Sequence, residues 1–427
     1  MNSTNPKPEA RNPKQIAIPE LQFTCPVPLN DHATVQMAHG GGGRLMRSLI
    51  ENLFLSAFAE GQGRGGEGEN GRRQTADGGG DVSREDAHAE CPQPSPLPTN
   101  LRSVPGEGTC TRHAPRPTPH APRPVAPSHD SAVVRVESDR LAFTTDSFIV
   151  SPLFFPGGDI GKLAVCGTVN DLAMAGAKPA YLSAGFLLEE GLPLETLRCV
   201  VDSMAAAARA AGVRIVTGDT KVVDRGKCDG LFINTSGIGW VPPGIEVSPA
   251  RVRPGDAILL SGDLGRHGMA VMSVREGLSF EGALESDCAS LADLVEAMLA
   301  AGADLHCLRD LTRGGLAAAL NEIAADVGVG MEIEETAIPV AEPVAAACEM
   351  LGLDPLYVAN EGRLVALVAP AATERVLQIM REHPGAVGPV RIGVVTADHP
   401  NIVALRGRFG GERIVDLLSG EQMPRIC

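Results

Sequence analysis

Leu141-Ala142-Phe143-Thr144-Thr145-Asp146-Ser147-Phe148-Ile149-Val150 alternates apolar and polar residues and reads as one half-buried strand. Ser131–Val136 is its expected hairpin partner, with the corner at Ser138-Asp139. Downstream, Gly161–Ala177 is a helix of small residues and Leu194–Ala211 a second helix, while Ile215–Gly218 and Gly230–Trp240 are strands. Upstream, Leu45, Met46, Leu49, Ile50, Leu53, Phe54 and Phe58 form the stripe of a helix with one buried face. A second unit begins near Arg253-Pro254-Gly255-Asp256. Its expected strands are Ala257–Ser261, Gly330–Glu334, Leu356–Val368 (two strands about Asn360-Glu361-Gly362), Val390–Val395 and Ile402–Arg406. Its helices are Gly268–Glu276, Leu291–Ala301, Gly314–Asp326, Val344–Leu353 and Thr373–Glu382. Helices and strands mix without strict βαβ alternation, which makes the fold class α+β rather than a doubly wound sheet.

The 427 residues leave room for two or three domains. Gly61 to His129 stands apart, with 11 Gly, 11 Pro and no Phe, Tyr or Trp, too little apolar area to fold. The organisation expected is a disordered extension at 1–34, an N-terminal domain from 35–60 plus 130–250, and a disordered insertion at 61–129. A C-terminal domain at 251–406 and a closing region at 407–427 with a mobile tail complete it. The insertion holds 8 basic and 8 acidic residues, so the net charge of −15 belongs to the rest of the chain. That argues against nucleic-acid or anionic-membrane binding. No apolar run approaches the ~20 residues of a membrane span, and Met1–Pro28 lacks a signal-peptide core, so the expected location is cytoplasmic. The ten cysteines include no C-x-x-C, which excludes a zinc knuckle.

Five acidic strings carry the chemistry. Asp146 interrupts an apolar strand, and Asn170-Asp171 lies within a helix of Ala, Gly and Leu. Thr217-Gly218-Asp219-Thr220-Lys221 closes a strand, and Ser261-Gly262-Asp263 and Arg309-Asp310-Leu311-Thr312-Arg313 repeat the theme. A buried carboxylate costs several kcal/mol unless cations or donors compensate. Each string alone fits a cap or a structural ion pair; together they suggest magnesium ligands around a nucleotide. His39-Gly40-Gly41-Gly42-Gly43-Arg44 before a helix is either a flexible entry or an anion cradle. Cys427 is a tail thiol near Arg425, whose charge slightly favours the thiolate.

These strings resemble the superfamily of aminoimidazole ribonucleotide synthetase, selenophosphate synthetase and thiamine-monophosphate kinase. Within it the chain is similar to the hydrogenase maturation carbamoyl dehydratases, through His39–Arg44, Leu141–Gly161, Val165–Asp171, Ile215–Val222, Arg309–Gly315, Asn321–Ala324, Asp354–Gly362 and Pro424-Arg425-Ile426-Cys427. The resemblance implies a two-domain fold and a homodimer whose N-terminal strands, here Ser131–Val150 and Gly230–Trp240, join the partner's. It also implies that a carbamoyltransferase loads Cys427 and that ATP-dependent dehydration turns the carboxamide into a thiocyanate. The cyanide passes through an iron-carrying maturation scaffold to a nickel–iron hydrogenase. On this reading Gly40, Gly41, Gly42 and Gly43 lie over the phosphates of ATP, and Asp146, Asp171 and Asp219 hold Mg²⁺. Asn170, Thr220, Asp263, Asp310 and Arg313 complete the nucleotide site, while Lys221 and Glu361 assist the dehydration. Selenophosphate synthetase is disfavoured because Met37-Ala38-His39 stands where a Cys–Lys pair is expected. A non-catalytic adaptor would show no ATP turnover.

Overall fold

The computed structural model describes residues 32–40, 44–59, 138–278, 284–418, 420 and 423–427. Residues 1–31, the 61–129 insertion, Ser131–Val136 and Gly41–Gly43 lie outside these, as do the expectations placed on them. After a 3-10 turn at Met37–Gly40, α1 (Arg44–Leu49) passes through a π-type stretch, Ile50–Leu55, into α2 (Ser56–Ala59). Strand β1 (Leu141–Phe148) follows, then the short β2 (Phe154–Phe155) and β3 (Gly158–Asp159), helix α3 (Ile160–Met174), and β4 (Lys178–Glu189). Helix α4 (Leu194–Ala210), β5 (Arg214–Val223) and β6 (Leu231–Trp240) complete the lobe. Its four-stranded sheet runs β1-β6-β4-β5, with β4 and β5 parallel and the other pairs antiparallel.

Helix α3 is buried nearly all round because it lies between this sheet and the second lobe. Small residues make that possible: a Cβ on Gly161 would sit 2.3 Å from the Val200 carbonyl oxygen. One on Gly167 would meet the Phe148 ring at 2.9 Å. The Asp159 carboxylate caps the helix by accepting the N–H groups of Gly161 (2.7 Å) and Lys162 (3.3 Å).

The second lobe adds β7 (Ala257–Leu260), α5 (Arg266–Arg275), α6 (Ala292–Ala300), β8 (Leu305–Asp310), α7 (Gly315–Val327) and β9 (Gly330–Glu334). Then come α8 (Glu342–Leu351), β10 (Leu364–Val368), α9 (Thr373–Glu382), β11 (Val390–Thr396), β12 (Val403–Arg406) and β13 (Glu412–Val415). The seven strands run β13-β12-β9-β11-β7-β10-β8, and β13 carries the sheet beyond Arg406. One apolar core joins the lobes through α3, including Phe148, Val169, Leu259 and Leu294. A second lies inside the C-terminal lobe, with Ile258, Leu316, Leu320 and Ile333. Among the described residues no helix is long and apolar enough to cross a membrane.

Three expectations are corrected. Leu356–Val368 is not two strands: Pro355–Tyr357 is a 3-10 turn and only β10 is extended. The cause is Asn360, whose Oδ1 accepts the Gly265 N–H (2.7 Å) and whose Nδ2 donates to the Leu311 and Val358 carbonyls, fixing a loop. Gly230–Trp240 cannot pair with a partner, because β6 is flanked on both sides by β1 and β4. The end of the chain is docked in this structure rather than free. Met423 and Ile426 are buried in the core that joins the lobes.

Candidate active site

A cavity of about 580 Å³ opens between β1 and α3 on one side and β8 and the entry to α7 on the other. Asp146, Asp171, Asp310, Arg309, Arg313, Glu361 and Cys427 all line it. Asp146 comes from β1, where its Oδ1 accepts the Ser147 N–H at 2.8 Å. Asp171 lies one helical turn beyond Gly167 on α3, and its Oδ2 accepts the Thr144 hydroxyl at 2.8 Å. Asp310 ends β8, and Glu361 sits in the loop that Asn360 fixes.

The electrostatics are those of an acid cluster short of positive charge. Burial first, then the charges of Asp171 and Asp146, push Asp310 up to about 7, with Arg309 opposing them. Burial also raises Asp146 and Asp171, while Arg313 pulls both back. Glu361, 2% exposed, is held well above the usual carboxylate range by burial and by Asp310, Asp287 and Asp146. Its Oε1 is buried without a hydrogen-bond partner. Among the described residues no three His, Cys, Asp or Glu side chains form a ready metal cage. Separated carboxylates facing a cavity suit a cation that keeps waters and bridges to phosphates, which is the habit of Mg²⁺.

Cys427 reaches the cleft because the tail is tied down from Pro424 to Cys427. The Ile426 carbonyl accepts from His267 Nε2 at 2.8 Å, and the Cys427 carbonyl accepts the Ile149 N–H at 3.1 Å. Arg275 donates to the carbonyls of Pro424 (2.7 Å), Arg425 (2.8 Å) and Ser151 (2.6 Å). Arg425 plays a different part from the one its neighbourhood in sequence suggests. Its guanidinium pairs with Asp229 and lies over the Phe232 ring, so it anchors the tail.

Other expected residues fall elsewhere. Asp263 is engaged by Arg363 (2.9 Å) and Arg266 (2.6 Å), a structural ion cluster outside the cleft. Asn170 turns its amide to Leu291, Ala289 and Glu361 rather than into the cavity. Asp219 and Lys221 pair with each other at 3.1 Å on β5, where Thr220 is buried between them. Asp146 aligns across the sheet with Thr235, Ala184 and Gly218, so Asp219 lies three strands away, roughly 14 Å, on the opposite face. Gly40 packs on the same strand, where an added Cβ would lie 2.5 Å from the Val222 nitrogen. Arg309 and Thr144 are site residues that sequence reasoning passed over. Arg309 stands beside Asp310 in one quoted string, and that adjacency was the available signal.

Comparison with known proteins bears on most of the chain. The AIR synthase related protein N-terminal domain family matches residues 128–241, and the corresponding C-terminal domain family matches residues 253–405. The carbamoyl dehydratase HypE of Azotobacter vinelandii is 58% identical over 299 residues, covering 70% of this chain and 88% of that protein. A crystal structure of hydrogenase maturation protein HypE in complex with ATP aligns with a TM-score of 0.75 at 41% identity, over 92% of this chain and 100% of its own. A crystal structure of a HypE–HypF complex aligns with a TM-score of 0.63 at 51% identity, over 65% of this chain and 90% of its own. With both domains matched and the fold shared, the chain belongs to the HypE carbamoyl dehydratase family of AIR synthase related proteins.

Proposed function

We propose that this protein dehydrates an S-carboxamide on Cys427 to an S-thiocyanate at the expense of ATP, supplying cyanide for the iron of a nickel–iron hydrogenase. The observation that carries the reading is the meeting of Cys427 and Glu361 in one acidic cleft flanked by Arg309 and Arg313. Asp146 and Asp171, with Asp310 behind them, would hold Mg²⁺. When bound, Mg-ATP supplies the phosphoryl group that turns the amide oxygen into a leaving group. Arg309 and Arg313 offset negative charge at the mouth of the site. Phosphorylation of the amide oxygen sheds one nitrogen proton; Glu361 accepts the second as phosphate leaves, and the N–H electron pair becomes the third C–N bond. In the empty cleft, burial and the neighbouring acids favour the neutral form of Glu361.

Lys221, Asp219, Thr220 and the glycine run enter this scheme through a second copy. Among the described residues, strands β1 and β5 are the two edges of the sheet. A homodimer pairing β1 of one copy with β5 of the other closes both edges. It also sets the Asp219–Lys221 segment of β5 beside the partner's β1, the strand that bears Asp146, and covers the exposed Leu141 and Phe143. Asp146→Ala and Asp219→Ala should each lose Mg-ATP turnover. Equal mixing of the two variants after dissociation should restore about a quarter of the normal turnover, because half the dimers then hold one intact site. No recovery would place both residues in the same chain's site.

The loading partner on this reading is a carbamoyltransferase, and the solved HypE–HypF complex supports a direct association of that kind. Mass spectrometry of the C-terminal peptide tests the reaction, after incubation with carbamoyltransferase, carbamoyl phosphate and Mg-ATP. The expected result is a carboxamide on Cys427 that then loses one water. A carboxamide that persists with ATP present would overturn the proposal.

A further inference from the structure

The loop 284–291 contributes nothing to the reaction above, yet it holds the backbone of the base. Asp287, 8% exposed, accepts the N–H groups of Glu361 (3.3 Å) and Gly362 (3.1 Å) on its two carboxylate oxygens. On the other side, Asn170 Nδ2 donates to the carbonyls of Glu361 (3.3 Å) and Ala289 (3.1 Å), while its Oδ1 accepts the Leu291 N–H at 2.7 Å. The Ala289 N–H adds a bond to the same Glu361 carbonyl at 3.3 Å. Only glycine fits at position 362, where a Cβ would lie 1.9 Å from the Asp287 carbonyl oxygen. Glu361 is thus fixed at both its N–H and its C=O where it lines the cavity.

A buried carboxylate is an expensive way to satisfy two N–H groups, more so beside other acids. Its use at Asp287 makes sense where placement matters more than stability. We propose that Asp287 and Asn170 are positioning residues that hold the Glu361 carboxylate against the substrate nitrogen on Cys427. The inference rests on the reading of Glu361 as the base. A displacement of ~1 Å costs a reacting group about 10²-fold. A phosphorylated carboxamide whose proton is not removed loses its phosphate to water and returns to carboxamide. Uncoupling is therefore the signature: ATP is consumed while little nitrile forms.

The test uses the full chain carrying Asp287→Asn, loaded by the carbamoyltransferase, with phosphate release and Cys427 nitrile measured together. Asparagine keeps the size and one acceptor oxygen but strands the other N–H. Nitrile formed per ATP should fall about tenfold or more, with the KM for ATP little changed. A loss of folded protein lowers both products equally and leaves this ratio alone. Asn170→Ser loosens the clamp from α3 and should give the same uncoupling, so the inference does not hang on one variant folding. A normal ratio in either folded variant overturns it. Wild type that makes no nitrile would instead overturn the reaction, and Glu361→Gln that still makes nitrile would overturn the choice of base.

Discussion

Glu361→Gln should arrest the protein with carboxamide on Cys427, lowering nitrile formation by about 10³-fold or more. Glutamine matches glutamate in size and still hydrogen-bonds, but it cannot accept the substrate proton. It also removes an acid that burial holds well above its usual range, so the variant should fold at least as well as wild type. Cys427→Ala should give a different defect, no carboxamide and no nitrile, with Mg-ATP binding close to normal. Its side chain lies in the cleft, but the proposed cation ligands are Asp146 and Asp171. Asp146→Ala should leave the thiol open to loading and weaken Mg-ATP. Mass spectrometry of the C-terminal peptide, paired with calorimetric titration of Mg-ATP, separates the three. Nitrile from Cys427→Ala would mean that another residue carries the substrate.

The acids that proved to share the cleft were legible for a common reason. Asp146 in an apolar strand, Asp171 in a helix of small residues and Asp310 at a strand end each break the pattern of their own element. Asp263 has the same signature and a different fate, because Arg363, one hundred positions away, takes one of its oxygens. No local pattern reports a partner that distant. Strands β4 and β8 were missed for different reasons. In β8, Leu305–Leu308 is buried on both faces, so no polar residue alternates; in β4 the burial does alternate, but the exposed position within Phe186-Leu187-Leu188 is itself apolar and hides the period. Asp287 gave no signal, since it sits in a stretch without periodicity and acts only on the backbone of a residue far along the chain. The tail misled in the opposite way. Leu417–Cys427 shows no helical or strand period, yet Met423 and Ile426 are apolar plugs, His267 bonds the Ile426 carbonyl, and Arg275 bonds those of Pro424 and Arg425.

Asp310→Asn should stabilise the ligand-free protein in a pH-dependent way. In the unfolded chain this carboxyl ionises near the ordinary value of 3.8, whereas in the fold it is pushed up to about 7. Between those values the folded protein binds more protons than the unfolded one, so wild-type stability falls as pH rises. The penalty is absent below the unfolded pKa, grows through the window and levels off above the folded pKa. Asparagine keeps the shape and never ionises. Its advantage over wild type in urea unfolding should therefore grow from about 2 kcal/mol at pH 5 toward about 4 kcal/mol near pH 8, as upper values. The cavity that imposes this cost is the one assigned to the nucleotide, so Mg-ATP should reverse the comparison. Cation binding favours the ionised Asp310, and saturating Mg-ATP should stabilise wild type more than the variant. An advantage that stays constant from pH 5 to pH 8 would show that Asp310 titrates normally in the fold. A Mg-ATP stabilisation equal in both proteins would remove Asp310 from the surroundings of the bound cation.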